Sequence, residues 1–477
     1  MSSSTDYVAY TDSIISILTS QTDDCASGPS LTKILNLFVD YHKCDHFFLL
    51  QKPEVVTSHF VLCSDIVNSS PLVNFTADFN EPSAKIVQSD SLKIITFEKS
   101  QHFLNLPNIS SLSIINVTDD VILVLINPKN CEIDRTILNL TTCALKTLYE
   151  RNEIDYEYSI KQVYAFSDDT LEKLSKRSFS VINYHPSEIF LNTFALFVRS
   201  KISGNVGIDD YQLLHFLVKL RRHYNDVPYH NWFHALDVTQ FVYSVIVTGN
   251  IKRYLEDIEI FSLLFSAICH DTDHNGMNNA FHRKAHTTLA HLAPNLPPLE
   301  HHHSCLTMDL SRSLFLNCIK NDEQRAYLSK FVINCIMATD MEQHKVFLTE
   351  FKEITDNGFD KTKESHRQLL SQIVLKAADL SNTVRDFDEA VRMTTKLNNE
   401  CHRQGDREVE LNLPISPMCD RNDKTPMCVG QIGFYRFVAG PLMKELHAFF
   451  PELKENEMQF EGNVSRWEKM KEDLAKQ

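Results

Sequence analysis

The sequence predicts a mainly α protein, with a large all-helical domain behind a smaller N-terminal α+β domain. Three observations carry that prediction. From about Phe179 onward, apolar residues recur at helical spacing and strand signals are few. Before residue 150, a series of short β-prone runs is bracketed by two amphipathic helical stretches. The composition also changes along the chain. Twelve of the 21 histidines fall between His215 and His303, whereas residues 1–150 hold four histidines, neither tryptophan and one glycine, Gly28. Chemistry built on imidazole therefore belongs to the second part. At 477 residues the chain also exceeds what one core usually covers.

In the first part, residues 31–41 form an amphipathic helix, followed by β-prone runs at 46–50, 55–66, 91–97, 112–117 and 121–126. Asn127-Pro128-Lys129-Asn130 is a turn. Residues 133–150 form a long helix with Ile137, Leu140, Ala144, Leu145 and Leu148 on one face. This is an α+β layout over residues 1–150. The charged stretch 151–178 reads as a helical connector to a domain spanning 179–477. There the pattern places helices at 211–224, 232–247, 257–269, 304–316, 323–338, 365–379 and 433–450. Pro228, Gly249, Gly276, Pro294, Pro297, Pro298, Gly358 and Pro441 mark boundaries. Residues 412–430 read as an irregular loop.

Charge and cysteine usage narrow the function classes. Forty-seven basic against 62 acidic residues give −15, which disfavours a dedicated nucleic-acid surface. An anionic small substrate stays open, because bound cations reverse the local sign of a pocket. The 12 cysteines are scattered, without a Cys-x-x-Cys pair, and Met1-Ser-Ser-Ser-Thr lacks the pattern of a signal peptide. Free thiols in a reducing cytoplasm are expected rather than a disulfide framework. The longest apolar runs, such as 121–126, are far too short for a transmembrane segment.

Two dense segments carry the chemistry. Tyr229-His230-Asn231-Trp232-Phe233-His234 lies forty residues before Cys269-His270-Asp271-Thr272-Asp273-His274. Imidazole and carboxylate together bind Zn²⁺ and harder divalent cations. His230 and His234 are four apart, as are His270 and His274, so each pair would share one face of a helix. One such pair is more often two packed histidines. Two pairs with adjacent carboxylates, one behind the apolar run 261–269, reverse that balance. Asp379, after a largely apolar stretch, is a capping residue when taken alone. With His234, His270 and Asp271 it completes a nitrogen and oxygen set suited to Zn²⁺. A carboxylate such as Asp271 can bridge to a second, harder ion such as Mg²⁺. In His301-His302-His303, neighbouring side chains point apart, so Glu300 is the better candidate to hold metal-bound water. Cys269 is a poor nucleophile, since a helix C-terminus disfavours thiolate.

Four blocks closely resemble the class I cyclic nucleotide phosphodiesterases. They are Tyr229-His-Asn-Trp-Phe-His-Ala-Leu-Asp-Val238, His270-Asp-Thr-Asp-His-Asn-Gly276, Ala378-Asp-Leu-Ser-Asn382 and Gln431-Ile-Gly-Phe434. The similarity covers roughly residues 160–470. It implies an all-helical metal-dependent phosphohydrolase domain that opens 3′,5′-cyclic nucleotides to 5′-monophosphates with metal-bound hydroxide. The resemblance implies that His234, His270, Asp271 and Asp379 hold zinc, with Asp271 reaching a second ion, Mg²⁺ or Mn²⁺. It implies His230 as the general acid, with His274, Glu300 and Thr339 near the metal-bound waters. Gln431 matches the glutamine that meets the purine edge, Leu397 and Phe434 clamp the base, and Tyr229 and Asn382 complete the pocket.

Residues 31–150 resemble, more weakly, a GAF domain, with Asn127-Pro-Lys129 matching part of the motif of cyclic-nucleotide-binding members. That resemblance implies a regulatory module. The amphipathic helix 133–150 and the connector 151–178 can pair across a two-fold axis, so a homodimer through this domain and the connector is expected. Asn382 is shared with cAMP-preferring members and with a cGMP-preferring branch, so the expectation leans to cAMP with cGMP open. Two further readings stay open: a phosphohydrolase for another nucleotide, and a regulatory cyclic-nucleotide-binding protein.

Overall fold

The computed structural model of the chain describes residues 156–476, apart from 182, 183, 185, 317 and 318, together with six strands between residues 46 and 126. The chain divides into two compact units. One is residues 1–154 with 222–226 and 282–298; the other is 155–221, 227–281 and 299–477.

The first unit holds one antiparallel sheet. Its strands are β1 (His46–Gln51), β2 (Phe60–Ser64), β3 (Ala84–Ser89), β4 (Leu92–Phe103), β5 (Leu106–Asn116) and β6 (Val121–Ile126). They run in the order β2-β1-β6-β5-β4-β3. The register sets His46 opposite Ile126 and Gln51 opposite Val121. Five strands answer β-prone runs in the sequence; β3 was not expected, because Ile86 and Val87 are its only β-branched residues. The helices expected at 31–41 and 133–150 and the Asn127-Pro-Lys129 turn, on which the GAF expectation and part of the homodimer expectation rest, lie outside the described residues.

The second unit is helical. Its longer helices are α1 (Tyr156–Tyr164), α2 (Asp168–Ser175), α3 (Pro186–Val198), α4 (Asp210–Arg222), α5 (Trp232–Thr248), α6 (Asp257–Cys269) and α7 (Pro298–Leu314). They continue with α8 (Asp322–Met337), α9 (His344–Asp356), α10 (Glu364–Asp379), α11 (Phe387–Glu410), α12 (Met427–Phe434), α13 (Gly440–Phe449) and α14 (Lys454–Ala475). No helix among the described residues is long and apolar enough to cross a membrane.

Helix α6 is the axis of the core. It packs against α5, α8 and α10, and every residue from Glu259 to Cys269 is buried. A helix apolar all round must be enclosed by others. Phe261 and Phe265 on α6 meet Phe216 of α4 and Phe315, with Phe265 and Phe315 edge to face at 5.4 Å. The buried Glu259 is held by Arg367 Nε at 2.8 Å and by the Tyr327 hydroxyl, so its charge is matched.

Three boundaries differ from expectation. Helix α7 starts at Pro298, not residue 304, which draws the histidine triplet inside it. Proline is tolerated in a first turn because its missing N–H is not needed there. The expected helix 433–450 is α12 and α13 joined by a π-helical segment, Tyr435–Ala439. Pro441 cannot donate to residue 437, and a wider turn absorbs the mismatch. Helix α12 also begins inside the stretch expected to be loop.

The segment after α2 is anchored by buried groups. Gln240 donates to the carbonyls of Leu174 and Lys176 at 2.8 and 2.9 Å. Arg385, 1 % exposed, donates to the carbonyls of Arg177 and Phe179 and pairs with Asp237 at 2.8 Å. Removing the guanidinium would strand the Asp237 carboxylate in the core. We expect Arg385→Ala to lower unfolding free energy by about 3–5 kcal/mol, the range for breaking a buried pair. Urea denaturation followed by circular dichroism checks this; a loss within experimental error would mean the pair is not structural.

Candidate active site

Three helix ends converge on one point. Helix α5 begins beside it, and α6 and α10 end at it. Asn231 caps α5, its side-chain oxygen accepting from the Phe233 and His234 N–H groups at 3.0 and 3.4 Å. His234 therefore sits in the first turn. His230 lies before the cap, where the backbone of Asn231 is extended. The pair thus does not share a helix face as its spacing suggested. The same holds for the second pair. His270 caps the C-terminus of α6, and Asp273, at φ 64°, turns the chain back before His274. A short polar residue tolerates that left-handed conformation.

Four side chains from these ends form a compact cluster. His234 Nε2 lies 3.4 Å from Asp271 Oδ2 and 3.2 Å from Asp379 Oδ1; His270 Nε2 lies 3.3 Å from each. All four donor atoms fall within 4.8 Å of one another. His270 Nε2 and Asp271 Oδ2 are buried and make no aligned hydrogen bond. The His270 ring is oriented for donation to a cation. His270 gives its Nδ1–H to the Ala267 carbonyl at 2.9 Å, which turns the Nε2 lone pair inward. Orphaned lone pairs aimed at a shared point fit a divalent ion. Helices α6 and α10 also point their negative dipole ends there.

Asp271 faces a second group on its other side. His303 Nε2 lies 3.8 Å from Asp271 Oδ1, and its Nδ1–H is donated to the Thr272 carbonyl at 2.6 Å. His274 accepts at Nδ1 from the Gly276 N–H at 3.0 Å. Burial, reinforced by the His230 charge, lowers His274 to about 4, so its ring stays neutral. His302 Nε2 meets Asp273 Oδ2 at 2.8 Å and holds the turn between them. Glu300, in the first turn of α7, is pushed up to about 7 by burial, while the Asn279 amide at 2.8 Å acts against that rise. Thr339 gives its hydroxyl proton to the Ile336 carbonyl at 2.8 Å. Lys376, on α10 three residues before Asp379, donates to the carbonyls of Ala338 and Asp340 and ties this turn to α10.

The largest omission from the sequence reading is Glu400. Its Oε2 accepts from the backbone N–H groups of Tyr229 and His230 at 2.8 and 3.1 Å. Its Oε1 meets His230 Nδ1 in a short contact. Burial lowers the His230 pKa, but Glu400 outweighs it and raises the group to about 9. With Nδ1 held, Nε2 is left to carry a transferable proton. His274 stacks on the His230 ring with centroids 4.1 Å apart. Gly276, at φ 79°, keeps this packing possible, since a Cβ there would meet Glu400 Cγ and Val227 at 3.3 Å.

The expected base-pocket residues fall on elements beside this centre. Asn382 lies in the turn directly after Asp379, and Leu397 sits on α11 three residues before Glu400. Gln431 and Phe434 stand one turn apart on α12. Tyr229 is buried, its ring 4.7 Å from His234. The side-chain amides of Asn382 and Gln431 are each 8 % exposed and have no hydrogen-bond partner among the described residues. Cys269, fully buried at the end of α6, has its thiol pushed up by burial, which agrees with rejecting it as a nucleophile.

Residues 229–460 match the family model of the 3′5′-cyclic nucleotide phosphodiesterases. The chain is 32 % identical over 294 residues to the high affinity cGMP-specific 3′,5′-cyclic phosphodiesterase 9A of Mus musculus, over 61 % of this chain and 55 % of that protein. It is 30 % identical over 291 residues to the 3′,5′-cyclic-nucleotide phosphodiesterase regA of Dictyostelium discoideum, over 60 % of this chain and 37 % of that one. The chain thus spans about half or less of the length of these relatives. The phosphodiesterase domain of the RhoPDE fusion protein from the choanoflagellate Salpingoeca rosetta superimposes with a TM-score of 0.61 at 27 % identity, covering 66 % of this chain and 99 % of that domain. Over residues 229–460 this chain therefore carries a 3′5′-cyclic nucleotide phosphodiesterase domain.

Proposed function

We propose that the chain hydrolyses a purine 3′,5′-cyclic nucleotide to its 5′-monophosphate, with Zn²⁺ and a second cation, Mg²⁺ or Mn²⁺. The observation that carries this reading is the four-atom cluster beside the His230–Glu400 pair. Ligands about 2.0–2.1 Å from a tetrahedral zinc lie about 3.3 Å from one another. The four nitrogen-to-oxygen separations, 3.2 to 3.4 Å, fit that edge. Asp271, with His274 and His303 on its far side, would reach the second ion. When bound, such ions polarise a phosphate ester and lower the pKa of water.

The chain's own groups supply the rest. Glu400 holds His230 protonated and oriented, so its Nε2–H can be given to the departing O3′ alkoxide. Neutral His274 and His303, with Glu300 and Thr339, would position water at the centre. Asn382 and Gln431 offer two unengaged amides to a purine edge, and Leu397 and Phe434 its apolar faces. For the base, the expected lean toward cAMP finds no support among the relatives, and the phosphodiesterase 9A enzymes are named for cGMP. We therefore propose cGMP as the preferred substrate. A rotatable amide at Gln431 can meet guanine as well as adenine.

Purified protein should convert cGMP to 5′-GMP faster than it converts cAMP at equal concentration, and chelation should abolish both. Full turnover in a preparation shown by elemental analysis to be metal-free would end this reading. Two variants separate ligand from acid. Asp379→Ala should lose bound metal together with activity. His230→Ala should keep its metal while kcat falls by about 10²–10⁴ and KM changes little. Zinc loss from the His230 variant would make that residue a ligand. The pH profile tests Glu400. A general acid works while protonated, so activity should fall as pH rises through about 9, the His230 value. Without the Glu400 charge that value drops, so Glu400→Gln should move the alkaline limb to lower pH. An unmoved limb would show that Glu400 does not set the protonation of His230.

A further inference from the structure

Helix α11 carries a cysteine immediately after the carboxylate that holds His230. One turn further along the same face is Gly405. A Cβ at 405 would come within 1.9 Å of the Cys419 carbonyl oxygen and 3.3 Å of Cys419 Cβ. Only a glycine lets the backbone at Cys419 lie directly on the helix there. The segment between α11 and α12 is pinned in that position. Ser416 gives its N–H and hydroxyl to the buried Glu408, and Arg421 pairs with Asp406. Cys401 and Cys419 are thereby brought into thiol-to-thiol contact, the first partly exposed and the second 2 % exposed.

Cys401 is acidified by this contact. Contact with the Cys419 thiol lowers its pKa, while burial and the Glu400 charge act against that. Other described cysteines differ. Burial raises the thiols of Cys269 and Cys305, and that of Cys335 to about 12. A partly exposed thiol of lowered pKa with a second sulfur beside it is the arrangement that oxidises selectively.

We propose that Cys401 and Cys419 are an oxidisable dithiol, which a hydroperoxide converts into an intramolecular disulfide that ties the 411–426 segment to α11 and lowers turnover. The Cys401 thiolate attacks the peroxide O–O bond, forms a sulfenic acid and expels hydroxide, which takes up a proton. The Cys419 sulfur then displaces the sulfenic hydroxyl, and its proton leaves with that group as water. With hydrogen peroxide, two thiols lose two electrons and two protons, and the oxidant becomes two waters. Forming the bond draws the sulfurs from contact to about 2.05 Å. That pull acts on the turn of α11 next to Glu400, and so on the group that orients His230.

The test exposes the full chain to a graded series of hydrogen peroxide under native conditions. Remaining thiols are blocked with N-ethylmaleimide and the digest is read by mass spectrometry, with and without dithiothreitol. The expected result is a Cys401–Cys419 cross-linked peptide within one chain, appearing before Cys305 is oxidised and removed by dithiothreitol. Cys419→Ser should instead accumulate a dimedone-reactive sulfenic acid at Cys401. cGMP turnover in the same samples should fall and recover with reduction, and Cys401→Ser should retain its turnover through the same exposure. Full alkylation of both cysteines at doses that oxidise Cys305, or cross-linking only between chains, would overturn the dithiol. A disulfide that leaves turnover unchanged would overturn its regulatory role. The mass-spectrometric result does not depend on the proposed activity, so failure of one is distinguishable from failure of the other.

Discussion

Two carboxylates, Asp271 and Asp379, are brought together at the carboxyl ends of two helices, where partial burial limits their screening by water. Like charges in such a place repel, and the helix dipoles add to the negative potential. Much of the surrounding arrangement answers that concentration of charge. His234 and His270 face both carboxylates at 3.2–3.4 Å. Lys376 delivers an ammonium one turn from Asp379, at the cost of a pKa that burial lowers to about 8. The apolar jacket of α6 supplies the low dielectric that makes each of these interactions strong.

A second electrostatic pair sits beside the first and has the opposite sense. Glu400 keeps His230 charged, while the stacked His274 is kept neutral partly by that charge. Two stacked imidazoles thus hold different protonation states within one small volume: His230 a proton source, His274 a neutral neighbour. Residue type alone could not assign these roles; the partners of each ring do.

What the sequence made legible follows from which signals are local. The apolar run of α6 with charged residues at its end foretold a buried helix that stops at a polar centre. Its bounds, Asp257–Cys269, are those expected. The dense histidine segments and Asp379 were visible because ligand residues stand out against apolar neighbours. Glu400 was not visible, because α11 is largely polar and one more acid among its charges carries no local mark. Only the fold shows that this carboxylate turns inward, 3 % exposed, toward a backbone 170 residues away. The spacing of the two histidine pairs also misled. Helical periodicity assumes a continuous helix, whereas a cap at Asn231 and a left-handed Asp273 break it between the members of each pair.

The carbonyls of Ala267 and Thr272 and the amide of Gly276 each fix one ring nitrogen of His270, His303 and His274. The location of three protons is therefore written in the main chain. Replacing the side chain of Ala267 or Thr272 does not erase those instructions, because the carbonyls that issue them belong to the peptide; Gly276, at φ 79°, is the exception. Sequences that drift widely around this centre would still inherit the same imidazole tautomers, provided the turn from Cys269 to Gly276 keeps its path. The acid–base character of the centre is in that sense heritable through backbone geometry, and rebuilding that turn would remove the main-chain partners of His303 and His274 together.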